Sequence, residues 1–225
     1  MTELGTDLLN VSVVEEGIVM LRLNRPERRN AVSIALRDDV SNALDSLAQD
    51  ESVSVVIVTG TGSVFCAGFD LREFENPDVQ ERLWESSERW HDTLRTFPLP
   101  LIASLNGPAI AGGFDLATMC DLRVAADSVY LARPEIEWSP ALYSIVRDLI
   151  GGALARELSF TNRRIDAAEA LSLHLLTRVV PAGQLDSATL DLARQVSRAP
   201  RDALMRTKAS AIAASRAATG GQLIW

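Results

Sequence analysis

The sequence contains few cysteines, histidines and aromatic residues, and it has no long apolar run. Of its 225 residues, two are cysteine, two are histidine and 5% are aromatic. Cys66 and Cys120 form no CxxC pair and have no histidine beside them, which argues against a zinc site or a disulfide framework. No apolar run approaches the ~18 residues that a membrane-spanning helix needs, and residues 1–10 lack the basic and apolar regions of a signal peptide. We therefore expect a cytoplasmic protein with no metal and no membrane partner.

Positive charge is also scarce. Lysine and arginine number 22 against 30 aspartates and glutamates, which gives a formal net charge of −8 and a pI near 4.9. Nucleic-acid binding requires clustered basic side chains that face phosphates, and the one basic cluster is "RPERR" at 25–29. The sequence therefore predicts no nucleic-acid partner. A hydrophobic fraction of 47% is typical of a folded chain rather than a disordered one.

Short apolar runs alternate with segments of helical periodicity. Residues 52–60 and 99–107 are nearly continuous apolar runs, which are typical of parallel strands covered on both faces. Ser33 is a candidate N-cap for a helix that extends to about residue 49. Residues 184–218 predict helices separated by Pro200. This alternation predicts an α/β fold with parallel strands and a helical C-terminal region.

Two glycine-containing turns each join a strand to the start of a helix. They are "FCAGFDL" (65–71) and "GPAIAGGFDL" (107–116). Backbone N–H groups at a helix N-terminus are unpaired, and glycine lets a substrate atom approach the backbone closely. Two such donors that converge on one point would form an oxyanion hole. The alternative is that each glycine serves only to reverse the chain.

Asp115 and Glu135 are candidate acid/base groups. Asp115 lies in the first turn of its predicted helix, where the helix dipole favours a carboxylate whatever its function. Glu135 follows a proline near apolar strand residues, a position equally compatible with a capping or surface role. We interpret Asp121 as structural and Cys66 as a packing residue. GxGxxG, GxxxxGK[ST] and GxSxG motifs are absent from the sequence, which disfavours a nucleotide-binding turn or a nucleophile elbow.

Taken together, these stretches resemble the crotonase (enoyl-CoA hydratase/isomerase) superfamily. The resemblance implies a spiral of ββα units over residues 1–182, a helical region over residues 183–225, and assembly as a homotrimer or a hexamer. It covers about residues 10–210 and is carried by five stretches: "LRLNRPERRNAVS" (21–33), "VIVTGTGSVFCAGFDLREF" (56–74), "PLIASLNGPAIAGGFDLATMCDLRVAADSVYLARPEI" (100–136), "LLTRVVP" (175–181) and "APRDALMRTK" (199–208).

The resemblance also implies roles for individual residues. Phe69 and Gly112 would supply the backbone N–H pair that holds the thioester oxygen of an acyl-CoA substrate. Asp115 and Glu135 fall on the two acid/base positions of the hydratases. Coenzyme A would enter as part of the substrate rather than as a permanently bound cofactor. Its path would be lined by Arg28, Ala67, Asp70 and Leu71.

Three features depart from the family pattern. Asp115 stands where hydratases carry glutamate, so its carboxylate is one methylene shorter. The segment after Glu135, "IEWSPALYSIVRDLIG", has no glycine before its last residue, and we expect Trp138 and Tyr143 to shape the acyl pocket instead. The sequence stops at "GGQLIW", earlier than most members, which predicts a truncated C-terminal helical region.

Hydration of a 2-enoyl-CoA, a reaction of fatty acid metabolism, is the leading hypothesis because both acid/base positions carry a carboxylate. Double-bond isomerisation, thioester hydrolysis or decarboxylation is the alternative within the superfamily, and an isomerase can work with a single carboxylate. A non-catalytic acyl-CoA-binding protein is a third hypothesis, which the altered loop and the short C-terminus suggest.

Overall fold

Nine strands form two sheets in residues 4–137 and 143–219, the part of the chain that the computed structural model describes. The six-stranded sheet has the order β1-β2-β3-β4-β6-β9 and the three-stranded sheet the order β5-β7-β8. The strands are β1 (Leu9–Glu15), β2 (Ile18–Leu23), β3 (Val55–Gly60), β4 (Leu101–Leu105), β5 (Ala109–Ile110), β6 (Leu122–Ala126), β7 (Tyr130–Ala132), β8 (Ile165–Asp166) and β9 (Arg178–Val180).

Helices cover both faces of the larger sheet. They are α1 (Ile34–Gln49), α2 (Leu71–Phe74), α3 (Gln80–Thr96), α4 (Gly112–Met119), α5 (Tyr143–Ile150), α6 (Gly152–Thr161), α7 (Ala167–Ser172), α8 (Leu185–Ser197) and α9 (Arg201–Thr219). Four 3-10 turns complete the described elements: Pro26–Arg28, Pro77–Val79, Pro134–Glu137 and Ala182–Gln184. In the described residues, no helix is both long enough and apolar enough to cross a bilayer.

Parallel pairing runs through the larger sheet, which confirms the predicted α/β class. β1 pairs antiparallel with β2, and every later pair from β2 to β9 is parallel. Every residue of β3 and β4 is buried, as their apolar runs predicted. The strand predicted over 52–60 begins only at Val55, because Asp50 holds Ser52 in a turn through its carboxylate.

Helix α1 begins where the sequence predicted. The Ser33 hydroxyl accepts a hydrogen bond from the Leu36 N–H at 3.3 Å, which satisfies one of the unpaired donors of the first turn. The Glu73 carboxylate accepts a second from the Ile34 N–H at 2.9 Å. Strands β5 and β8 were not predicted, since two residues are too few to show a periodicity.

The loops after β3 and β4 run side by side at one edge of the larger sheet. Parallel neighbours bring their carboxyl ends to the same edge. The Ile110 N–H donates to the Cys66 carbonyl at 3.0 Å, and the Phe65 N–H donates to the Pro108 carbonyl at 3.1 Å. The two glycine-containing turns are thus held against each other by main-chain hydrogen bonds.

A buried lysine fastens α9 to this body. The Lys208 ammonium donates to the Leu99 carbonyl and to the Asp121 carboxylate, each at 2.8 Å. The same Asp121 oxygen accepts from the Leu101 N–H at 2.7 Å. Asp121 therefore ties together the start of β4, the end of α4 and α9, in keeping with the structural role that we expected of it.

We expect Lys208→Met to destabilise the protein by on the order of 1–3 kcal/mol, because it removes a buried charge-assisted contact to Asp121 and Leu99. Urea unfolding measures this as a lower midpoint at an unchanged m value. Arg206→Met on the same helix is the control, since the Arg206–Asp202 pair is exposed and should change stability by less than about 0.5 kcal/mol. Equal midpoints for the two variants would contradict the assigned role of Lys208.

Candidate active site

Phe69 and Gly112 line one cavity, and their backbone N–H groups have no hydrogen-bond acceptor among the described residues. Phe69 follows Gly68, whose φ of +93° is a conformation that favours glycine. A Cβ on Gly68 would lie 3.0 Å from the Gly112 nitrogen, so the two loops are in direct contact. Paired, unsatisfied donors beside a cavity are the arrangement that an oxyanion hole requires.

The two glycines that open α4 serve different purposes. A Cβ on Gly113 would overlap the Cys66 carbonyl oxygen, so that residue is fixed by the close approach of the two loops. A Cβ on Gly112 would instead lie 3.1 Å from the Phe69 ring. Ala111, just before them, has φ 55° and ψ −128°, a conformation that costs a non-glycine residue about 1–3 kcal/mol. The chain is thus strained at the residue that sets the direction of the Gly112 N–H.

Cys66 is a packing residue at the base of these loops. It is fully buried, and its sulfur accepts a hydrogen bond from the Gly68 N–H at 3.4 Å. Burial raises the pKa of the Cys66 thiol to about 12, with a further contribution from the charge of Asp115. A thiol that stays protonated at neutral pH is a poor nucleophile, which agrees with the packing role we expected.

Asp115 and Glu135 line the same cavity as Phe69 and Gly112. Asp115 lies in the first turn of α4, and Glu135 lies in the 3-10 turn that follows β7. Burial raises the pKa of both carboxyl groups, and the charge of Asp115 raises the pKa of Glu135 further. Two carboxyls that perturb each other in one cavity form a candidate acid/base pair.

Arg133 contacts one member of this pair and was not predicted as a site residue. Its Nη2 lies 3.2 Å from Oδ1 of Asp115, and its guanidinium carbon lies 5.1 Å from the centre of the Phe114 ring. The Arg133 side chain is 2% exposed. Neither a spacing nor a motif in the sequence marks this residue, because the ion pair joins the end of β7 to α4 and depends on the tertiary fold.

The cavity has a volume of about 700 Å³, a size typical of sites for small organic ligands. Eight of the site residues predicted from the sequence line it: Arg28, Ala67, Phe69, Asp70, Leu71, Gly112, Asp115 and Glu135. Asp70 also has a structural task, since its carboxylate pairs with Arg25 at 2.9 Å and caps α2.

One wall of the cavity, formed by α3, was missed. Trp84, Ser87, Glu88 and His91 line it at the spacing i, i+3, i+4, i+7, which marks one face of a helix. This spacing was visible in the sequence, but the surrounding residues are polar and none of the four was predicted as a site residue. Burial lowers the pKa of His91 to about 4, so its imidazole is neutral at physiological pH.

One of the two predicted acyl-pocket residues, Tyr143, is not among the described residues that line this cavity. Tyr143 begins α5, and its hydroxyl donates a hydrogen bond to the Gly152 carbonyl at 3.3 Å. Trp138 lies outside the described residues. Within 4–137 and 143–219, no three His, Cys, Asp or Glu side chains are grouped so that they could hold a metal ion.

Comparison with known proteins shows the family of this chain. The model for enoyl-CoA hydratase/isomerase matches residues 14–223. The chain belongs to the enoyl-CoA hydratase/isomerase family. It is 32% identical over 194 residues to a hydroxycinnamoyl-CoA hydratase-lyase of Pseudomonas fluorescens, covering 81% of this chain and 70% of that protein. It is 32% identical over 199 residues to the 2,3-dehydroadipyl-CoA hydratase of Escherichia coli K12, covering 86% and 78%.

Solved structures of this family confirm the crotonase fold. A monofunctional enoyl-CoA isomerase from M. smegmatis superposes with a TM-score of 0.82 at 30% identity. The superposition covers 93% of this chain and 94% of that one. The predicted fold class, with its α/β body and C-terminal helices, is therefore confirmed, and so is membership of an enzyme family.

Glu135→Gln is expected to raise the thermal midpoint, and to raise it more at about pH 8 than at about pH 5. The pKa of Glu135 is raised in the folded state, so the folded protein holds this proton more tightly than the unfolded chain does. Its contribution to stability is present below the unfolded pKa and is lost as the pH rises through the folded pKa. Glutamine has no such proton to lose.

Thermal unfolding of both proteins across this pH range measures the effect. Glu85→Gln makes the same chemical change at an exposed position on α3 and serves as the control. If the difference in thermal midpoint between Glu135→Gln and the parent protein does not change with pH, the Glu135 carboxyl does not titrate as described.

Proposed function

We propose that this chain catalyses the hydration of a 2-enoyl-CoA thioester. One observation carries the proposal: two residues with unpaired backbone N–H groups, the buried Asp115 and the half-buried Glu135 line the same cavity. Addition of water to an enoyl thioester needs both elements, because negative charge develops on the thioester oxygen while one proton leaves water and another reaches carbon.

The N–H groups of Phe69 and Gly112 would accommodate the thioester oxygen. When water adds to Cβ, the electron pair of the Cα–Cβ double bond moves toward the thioester and makes its oxygen an enolate oxygen. Donors fixed by the strained turn at Ala111 do not need to reorient at that moment, which is the reason that such sites are effective.

The two carboxyls would divide the proton transfers. The ionised one takes a proton from water as its oxygen bonds to Cβ, and the protonated one delivers a proton to Cα. The product gains a hydroxyl group from water and a proton from the second carboxyl, and the proton that left water remains on the first carboxyl. Transfer of that proton to the second carboxyl restores the starting state, so no oxidant or reductant is needed.

The remaining lining residues suit a coenzyme A thioester. Arginines at the cavity, Arg28, Arg29 and Arg72, offer cations to its phosphate groups. Aromatic side chains, among them Phe74 and Trp84, offer a surface for the acyl group. Coenzyme A would bind as part of the substrate, as the sequence led us to expect.

The names of the relatives support the reaction rather than one acyl group. The Pseudomonas protein is named for hydroxycinnamoyl-CoA and the Escherichia coli protein for 2,3-dehydroadipyl-CoA. An aromatic acyl chain and a dicarboxylic one share only the conjugated enoyl thioester. We therefore propose the enoyl thioester as the substrate class.

Double-bond isomerisation is the second candidate, and one observation favours it. Arg133 engages Asp115, so Glu135 is the carboxyl of the pair without an ion-pair partner among the described residues. A single carboxyl can remove a proton from one carbon of an enoyl chain and return it to another. The M. smegmatis structure, titled a monofunctional isomerase, supports this candidate.

Asp115→Asn and Glu135→Gln are each expected to lower kcat for hydration by about 10²–10⁴-fold, because each removes one proton transfer. The loss of ultraviolet absorbance of a conjugated enoyl thioester measures hydration, and a 3-enoyl-CoA tested in parallel measures isomerisation. Glu85→Gln is the matched control. Absence of hydration by the parent protein, together with isomerisation that is lost in Glu135→Gln, would contradict the hydratase proposal and support the isomerase.

Gly112→Ala is expected to lower kcat/KM about 10²-fold while the protein remains folded. The added Cβ lies 3.1 Å from the Phe69 ring and crowds the space beside the two N–H groups, but the ring can shift. Gly113→Ala is the contrasting variant, since its Cβ meets main-chain atoms of Cys66 and should cost several degrees in the thermal midpoint. Wild-type kinetics in Gly112→Ala would argue against an oxyanion hole at this position.

A further inference from the structure

Arg133 is a buried cation at the edge of the cavity. It follows β7 directly and precedes the 3-10 turn that carries Glu135. Its side chain is 2% exposed and lies against the Phe114 ring. A guanidinium removed from water to this extent is costly unless an anion faces it.

Asp115 is the anion that faces it. Nη2 of Arg133 lies 3.2 Å from Oδ1 of Asp115, and Asp115 is its ion-pair partner among the described residues. Its Nε and Nη1 atoms are buried and have no hydrogen-bond partner there. If Asp115 took up a proton, the guanidinium would lose its countercharge. The buried cation therefore favours the ionised form of Asp115.

Glu135 receives no comparable contact. Its Oε2 atom is buried and has no hydrogen-bond partner, and among the described residues no cation pairs with it. Two carboxyls near each other in a dry cavity do not both ionise readily. The one beside the cation keeps its charge, and the other keeps the proton.

We propose that Arg133 is a positioning residue: it keeps Asp115 ionised, and its contact with Oδ1 orients the Asp115 carboxylate. The proton that the two carboxyls share then resides on Glu135. Asp115 then takes the proton of water and Glu135 delivers the proton to Cα. The assignment of these steps rests on the proposed hydration; the distribution of charge between the two carboxyls does not.

Other ionisable groups surround the pair without touching Asp115. From the loop after β3, Cys66 is a protonated thiol, as its raised pKa shows. On α5, which packs on α4, Tyr143 bonds to Gly152, and Arg147 pairs with Asp148. Further groups line the cavity itself: Arg28, Arg29, Asp70, Arg72, Glu88 and the neutral His91. Of the described residues, Arg133 is the one with a side-chain hydrogen bond to the Asp115 carboxylate.

Arg133→Met tests the proposal through the pH dependence of kcat/KM. In the parent protein the rate rises as Asp115 ionises and falls as Glu135 loses its proton. Without the cation the pKa of Asp115 rises, so the acidic limb should move to higher pH by about one unit or more. Arg133→Lys should restore part of this shift. A variant that loses activity with an unchanged pH profile would show a merely structural role and overturn the proposal.

A second measurement does not require turnover. Infrared or 13C NMR titration of protein labelled at aspartate and glutamate carboxyls follows the ionisation of Asp115 and of Glu135. Each signal is identified by its absence in Asp115→Asn or in Glu135→Gln. We expect Asp115 to ionise at lower pH than Glu135. In Arg133→Met the pH difference between the two ionisations should become smaller or change sign. Protonation of Asp115 ahead of Glu135 in the parent protein would overturn the proposal.

The two measurements separate the failures. If the titration follows the expected order and no enoyl-CoA is hydrated, the charge distribution stands and the proposed function fails. If Arg133→Met does not fold, Arg133→Lys, Asp115→Asn and the double variant of these two substitutions form a double-mutant cycle with the parent protein and report the coupling. Arg206→Met, which replaces an exposed arginine on α9, is the control. It should leave the pH profile of kcat/KM and the carboxyl titration unchanged.

Discussion

The contact between the loops that follow β3 and β4 is the constraint on which the rest of the site depends. Gly68, Gly112 and Gly113 occur where they do because a Cβ on any of them would meet atoms of the other loop. The Ile110 N–H bond to the Cys66 carbonyl fixes the distance between the loops. Since adjacent parallel strands deliver both loops to one edge, the fold creates the N–H pair of Phe69 and Gly112 without any side chain.

Burial of the ionisable groups at the site makes them reactive and also lowers the stability of the folded protein. The raised pKa values of Asp115 and Glu135 show that the folded protein disfavours their charged forms. The unusual backbone of Ala111 and the unpartnered atoms of Arg133 add to this cost. Such a concentration of unfavourable terms in one cavity is typical of functional sites, where stability is lower than the fold would otherwise permit.

Features that depend on local chemistry could be predicted from the sequence. The Ser33 cap, the buried strands β3 and β4 and the glycine turns follow from residue type and spacing alone. Arg133 could not be found in this way, since its partner lies eighteen residues earlier on another element. The α3 wall was missed for a different reason: His91 is buried because of what packs on it, although its neighbours in sequence are polar.

The aspartate at position 115 and the arginine at position 133 are best understood together. An aspartate in the first turn of α4 keeps its carboxylate close to the positive end of the helix dipole, which favours the ionised form. A short side chain also has fewer rotamers, so a single hydrogen bond from Nη2 of Arg133 suffices to orient it. In this chain the loss of one methylene is therefore compatible with the chemistry, because the arginine and the helix end hold the remaining carboxylate as an anion.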